Sequence, residues 1–109
     1  MKQADPFYKT KRWERLRAAI LRRDGYLCQE SKRYGKFVTA DTVHHLLPRD
    51  VFPEYQWEPW NLISLAHEVH DTMHDRSTGD LSEAGAALAR RMARRRGFDL
   101  PLRYSQKST

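Results

Sequence analysis

Trp13, Leu16, Ile20 and Leu21 fall on one stripe of a 3.6-residue repeat, with Arg or Lys filling most positions between. That pattern predicts an amphipathic helix over residues 10–23, ended by Asp24-Gly25, where glycine can take a left-handed cap. Residues 1–9 read as a short polar arm closing on Phe7-Tyr8. Residues 26–41 carry little helical signal and read as a loop or knuckle. Within and after it, 37–39 and 42–44 are short β-prone runs, and Ala40-Asp41 would be the turn of a hairpin. Pro48, Pro53 and Pro59 keep 47–60 irregular, and Trp57 and Trp60 are placed to pin that loop to the core. A second helix is predicted from 61 or 62 to 75, with Leu62, Leu65, Val69 and Met73 as its apolar stripe. A third spans 81–96: Asp80-Leu81-Ser82-Glu83 reads as its capping box and Gly97 as its stop. Residues 98–109 read as a tail. No internal repeat or low-complexity segment is present.

Composition narrows the class. A chain of 109 residues is read as one domain with a thin core, since 39% of it is hydrophobic and a bound metal would add appreciably to stability. Twenty Lys plus Arg against 14 Asp plus Glu give a charge of +6, and 14 of the 20 are arginine, the side chain suited to bidentate phosphate contact. Nucleic acid is the natural partner of such a surface. Cys28 is the single cysteine, so an internal disulfide is excluded and a reducing cytoplasm fits. No long apolar run or signal-like segment suggests a membrane.

The chemistry gathers in the histidines. His44-His45, Asn61, His70 and His74 are separated by 16, 9 and 4 positions. On a helix, the i, i+4 pair His70 and His74 would share one face at chelating distance. A third ligand would come from His44 or His45. Adjacent strand residues point to opposite faces, so only one of that pair easily reaches the same metal, and the other is free to act as a base. Asn61 could supply the oxygen that orients the base's ring without adding negative charge. His67 reads as an exposed helix residue, Cys28 as a buried thiol, and Trp13, Trp57 and Trp60 as core.

The stretch Val43-His44-His45-Leu46-Leu47-Pro48-Arg49, then Trp60-Asn61-Leu62-Ile63-Ser64-Leu65, then His70-Asp71-Thr72-Met73-His74, resembles the HNH endonucleases, above all the small phage-encoded ones. The lead-in from Leu21 to Glu30 matches as well, so the resemblance covers roughly 7–76. The all-histidine spacing is similar to that of the DNase colicins. The resemblance implies an α+β fold, small and mostly helical, built around a ββα-metal finger with flanking helices. It implies His45 as general base, Asn61 as its orienting partner, and His44, His70 and His74 as ligands of one divalent metal (Mg²⁺, Mn²⁺, Ni²⁺ or Zn²⁺). Many relatives carry Asp where this chain has His44.

The implied reaction is hydrolysis of DNA phosphodiesters to 5′-phosphate and 3′-hydroxyl ends. Arg49, Arg76, Arg90, Arg91, Arg94 and Arg95 are the candidates for phosphate contact. The implied setting is phage DNA packaging or processing in a bacterial cytoplasm, with terminase or packaging proteins as partners. The second class open to the sequence is a DNA-binding packaging accessory that keeps the finger without turnover. One departure is plain. Many phage relatives hold a structural zinc between two Cys-x-x-Cys knuckles, which here read Cys28-Gln29-Glu30-Ser31 and Ala66-His67-Glu68-Val69. No structural zinc is expected, and packing by the tryptophans and the C-terminal helix would replace it.

Overall fold

The first helix forms as its apolar stripe requires. Thr10 opens it, with its hydroxyl accepting the Trp13 N–H at 3.1 Å, and helix α1 runs Lys11–Arg23 with Trp13, Ile20 and Leu21 buried. In the computed structural model, which describes residues 5–105, α2 (Gln29–Arg33), β1 (Thr42–His45), β2 (Leu62–Leu65), α3 (His67–His70), α4 (Glu83–Arg96) and α5 (Leu102–Ser105) follow. Single 3₁₀ turns lie at Pro6–Lys9, Pro53–Tyr55, Pro59–Asn61 and Asp71–Met73. The fold is α+β: among the described residues, helices surround one antiparallel pair in which Thr42 faces Leu65 and His45 faces Leu62. One core joins Phe7, Trp13, Ile20, Leu21, Val43 and Leu62; the other joins Cys28, Leu46, Leu47, Leu65, Met73 and the inner face of α4. Trp57 packs on the first and Trp60 on the second, so the C-terminal part of the proline-rich loop is pinned to both.

The expected hairpin over 37–39 and 42–44 does not form. Phe37 is exposed, the Cys28 N–H donates to Val38, and Thr39 bridges Leu27, so this run pairs backward. The partner of β1 comes instead from 62–65, which the apolar spacing assigned to a helix. Leu62, Ser64 and Leu65 are all buried, so the strand lacks the alternation that would betray it. Its polar member is satisfied from afar: the Ser64 N–H donates to the Asp24 carboxylate at 3.0 Å. Asp24 also accepts two bonds from Arg23, whose guanidinium donates to the Pro59 and Leu62 carbonyls. The end of α1 is thereby clamped to β2.

The helix expected to reach residue 75 is likewise shorter. α3 ends at His70, a 3₁₀ turn follows, and His74 is extended (φ −124°, ψ 143°) and bridges Leu81. The chain reverses because the Asp75 side chain accepts from the Ser77 and Thr78 N–H groups and Gly79 takes φ 76°. Ser82 rather than Asp80 caps α4, accepting from the Gly85 N–H at 3.2 Å, and with Gly85 three residues beyond it the cap is single rather than a box. Gly97, at φ 66°, closes the helix as expected.

Residues 98–105 are more than a tail. Tyr104 of α5 is 2% exposed, and its hydroxyl donates to Asp80 at 2.5 Å. Asp80 precedes Leu81, the bridge partner of His74, so the C-terminal segment braces the turn that carries this histidine. The expected arm over 1–9 closes in a 3₁₀ turn that buries Phe7, and residues 1–4 of that arm and 106–109 of the tail lie outside the described residues.

Where the family's knuckles would meet, Cys28, Ala66 and Val69 lie in one apolar cluster with Leu88, Ala89 and Met92 of α4. Docking of α4 depends on Gly85: a methyl group there would stand 2.2 Å from the Met73 carbonyl oxygen. Gly85→Ala is expected to cost at least about 2 kcal/mol, since backbone must move to admit it. Denaturant unfolding followed by circular dichroism would measure this, and an unchanged midpoint would mean that α4 docks elsewhere.

Candidate metal centre and adjoining cleft

Three histidines reach one point by three different routes. His44 comes from the middle of β1 and is 1% exposed. His70 comes from the last residue of α3, and His74 from the extended chain beyond it. Ring centroids lie 5.2 Å (His44–His70), 5.4 Å (His44–His74) and 5.3 Å (His70–His74) apart, each pair edge to face. One ring nitrogen from each falls within 4.8 Å of the others. The helical i, i+4 geometry expected for His70 and His74 is therefore absent, yet a turn plus an extended residue closes the same gap.

The donor set fits a divalent cation. His44 Nε2 is buried with no hydrogen-bond partner among the described residues, a state that costs free energy unless something accepts its lone pair. Burial, then the neighbouring His70 and His74, hold its pKa well below the usual 6.5. His70 is lowered as well, by burial and then by His74. Neutral imidazoles with unshared lone pairs are what transition-metal ions take.

His45, the next residue, has different surroundings. Trp13 stacks on its ring at 5.4 Å and 19°, and Phe7 meets it edge-on at 5.7 Å. Its Nε2 lies 3.0 Å from the Gln56 carbonyl oxygen. A carbonyl only accepts, so Nε2 carries the proton and Nδ1 keeps its lone pair. Burial lowers its pKa to about 4; the Gln56 contact works the other way, and the Arg49 charge adds to the lowering. His45 is therefore neutral at physiological pH.

Asn61 does not orient that ring. Fully buried, it accepts the Leu47 N–H at 2.8 Å and donates to the Leu47 and Tyr55 carbonyls, each at 3.2 Å. The amide ties together the two ends of the loop after β1, and the Gln56 carbonyl on that loop holds the imidazole. Sequence offers no signal for a backbone carbonyl, which any residue could present.

His44, His45, His70 and His74 share one cleft of about 640 Å³. Arg49 lines it, donating to Asp5 at 2.5 Å and Gln56 at 3.2 Å, with its guanidinium 3.8 Å from the Phe7 ring centre. Arg17, not singled out from sequence, lines it from α1 and donates to the Asp41 carbonyl. Its place on the polar stripe of α1 was the only available hint. Arg76 borders a smaller hollow with His70, Asp71 and His74. Arg90 and Arg91 are drawn elsewhere, to Glu83 and the Tyr104 carbonyl and to Glu30 respectively. Arg94 and Arg95 are exposed on α4, outside the cleft. His67 is exposed, as expected, and meets Asp41 and Glu68.

These buried neutral rings predict an acid-labile metal-free protein. Between pH 6.5 and about 4 the unfolded chain binds a proton at residue 45 that the folded chain refuses. Stability therefore falls as pH drops through this window, by about 3 kcal/mol from His45 alone, and His44 and His70 act in the same direction. Thermal melts in chelator from pH 8 to 5 would register this as a falling midpoint. A flat profile would contradict it.

No protein-family model matches the chain, and no curated protein does either. Among solved structures, the fold is similar to that of the HNH endonuclease of the deep-sea thermophilic bacteriophage GVE2, whose crystal structure was determined with manganese ion. The two are 36% identical at a TM-score of 0.59, over 61% of this chain and 72% of the phage protein.

Proposed function

This chain belongs to the HNH endonuclease family, and from that premise we propose that it is a metal-dependent DNA endonuclease with His45 as general base. One observation carries the reading: a neutral histidine with a bare Nδ1 adjoins a cluster of three imidazoles in a single arginine-lined cleft. His44, His70 and His74 would hold the ion. When bound, it supplies Lewis-acid stabilisation of the charge that develops on the phosphoryl and leaving 3′ oxygens. Magnesium, manganese, nickel and zinc are the candidates, and an all-imidazole set favours the transition metals by affinity.

The chain's own groups do the rest. Nδ1 of His45 takes a proton from the attacking water, and the Gln56 carbonyl, already bonded at Nε2–H, stabilises the imidazolium that results. Trp13 and Phe7 hold the ring plane, so no orientation need be found at the moment of transfer. Burial, with the Arg49 charge adding to it, leaves a weak base with a pKa of about 4, and the negative charge of an incoming phosphate beside the ring would raise its basicity. Arg49 and Arg17 border the cleft where phosphate oxygens would lie, with Arg76 just outside it. Products would carry 5′-phosphate and 3′-hydroxyl ends.

We read the 109 residues as one nuclease domain and phage DNA packaging or processing as its setting, with the phage relative as support. No described helix is long and apolar enough to cross a membrane. The test is supercoiled plasmid incubated with the protein and each of the four metals. Nicked or linear product with at least one metal, and none in chelator, is expected. Tight DNA binding without cleavage under every metal would overturn the reading.

A further inference from the structure

Five arginines crowd positions 90–96 of α4, and the fold sorts them. Arg90 is spent on Glu83 and the Tyr104 carbonyl, and Arg96 lies over the Trp60 ring at 4.6 Å. Arg94 and Arg95 are exposed and have no side-chain partner among the described residues. With Arg91 they border a shallow depression of about 510 Å³, and its fourth wall is Arg33, brought in from α2. No other described residue lines it. Among the described residues, Glu30 is the single carboxylate bonded to this group, 2.6 Å from Arg33 and 3.2 Å from Arg91. Four guanidiniums thus share one counter-charge.

Cations near the end of α4 are favoured by its dipole, but that effect is local to the last turn. It does not explain why Arg33, from another helix, converges on the same point. Like charges held together raise the energy of the folded chain unless an anion is taken up. The depression is open and walled by arginine side chains, so it suits a row of oxyanions on a polymer better than an enclosed small molecule. Its lining shares no residue with the histidine cleft.

We infer that Arg33, Arg91, Arg94 and Arg95 form a second DNA-contact site, gripping backbone phosphates of duplex away from the cleavage centre. The inference rests on the nuclease reading only for its choice of DNA as the polyanion. Guanidinium forks on phosphate carry no base information, so the site would add affinity without sequence preference.

Binding of a 30-base-pair duplex, followed by fluorescence anisotropy in chelator across a salt series, tests this. The double variant Arg94→Ser/Arg95→Ser is compared with Arg15→Ser/Arg22→Ser, which removes equal charge from exposed positions of α1. Losing two phosphate contacts should lower the salt-dependence slope by about two and weaken binding about tenfold at moderate salt. The α1 pair should change both much less. Equal losses in the two variants, or no loss in the first, would overturn the site. So would polyglutamate displacing the wild type as well as duplex does. Because binding is read without metal, a chain that grips DNA through these arginines yet never cuts would refute the nuclease reading alone.

Discussion

His45→Ala is expected to slow strand cleavage by about two to four orders of magnitude, the usual contribution of a positioned general base, while metal affinity is unchanged. The separation follows from where adjacent side chains go. His44 turns into the imidazole cluster with a buried Nε2 that no described residue hydrogen-bonds, whereas His45 is sandwiched by Trp13 and Phe7 and bonded to the Gln56 carbonyl. Single-turnover nicking gives the rate, and calorimetric titration with Mn²⁺ gives the affinity. His44→Ala should do the reverse at the metal, abolishing measurable binding. His45 is itself packed, so His45→Gln, which fills similar space and can still donate to Gln56, guards against a folding artefact. Cleavage within tenfold of wild type in both residue-45 variants would remove His45 from the chemistry. Loss of metal binding in either would end the division of labour between the two histidines.

Asn61→Ala should cost about 3 kcal/mol or more in stability, because a buried N–H and two carbonyl oxygens lose their partner together. Asn61→Asp is expected to be no milder: it keeps an acceptor for Leu47 but sets a carboxylate against two carbonyls. Cleavage should fall as well, because the loop released by the change carries Gln56, whose carbonyl holds His45. On the proposed reading Asn61 would be a positioning residue, acting on the imidazole through the 46–60 loop. The alternative is an amide that touches the ring directly. It predicts the opposite signature, a shifted pH–rate profile with stability little altered. Denaturant unfolding and the pH dependence of single-turnover cleavage, measured on the same variants, separate the two.

What could be seen before folding is uneven, and the reason is physical. The α1 stripe, its Thr10 and Gly25 ends, and the Gly97 stop of α4 are local matters of periodicity and backbone freedom, so they were legible. The histidine frame was legible too, since few residue types bind metal and their spacing is unusual. Strand β2 was not, because its residues are buried on both faces and its register depends on β1, about twenty positions away. The site arginines divided along the same line: Arg49 stayed beside the cleft, but Arg91 was taken by Glu30 of α2 and Arg90 by the Tyr104 carbonyl together with Glu83 of its own helix.

By itself, then, the sequence determined the chemistry available to this protein: four histidines that can share a metal and a base, set in an arginine-rich chain of one cysteine. Membership of side chains in a site is a matter of type and approximate order, and residue identities carry that. Tertiary structure alone decided how each part is held. It put His74 on an extended residue instead of a helix, gave the orientation of His45 to a carbonyl instead of Asn61, and filled the knuckle positions with an apolar cluster under α4. Those outcomes depend on which distant groups satisfy buried hydrogen bonds and fill buried volume, and such pairings exist only once the chain has closed on itself.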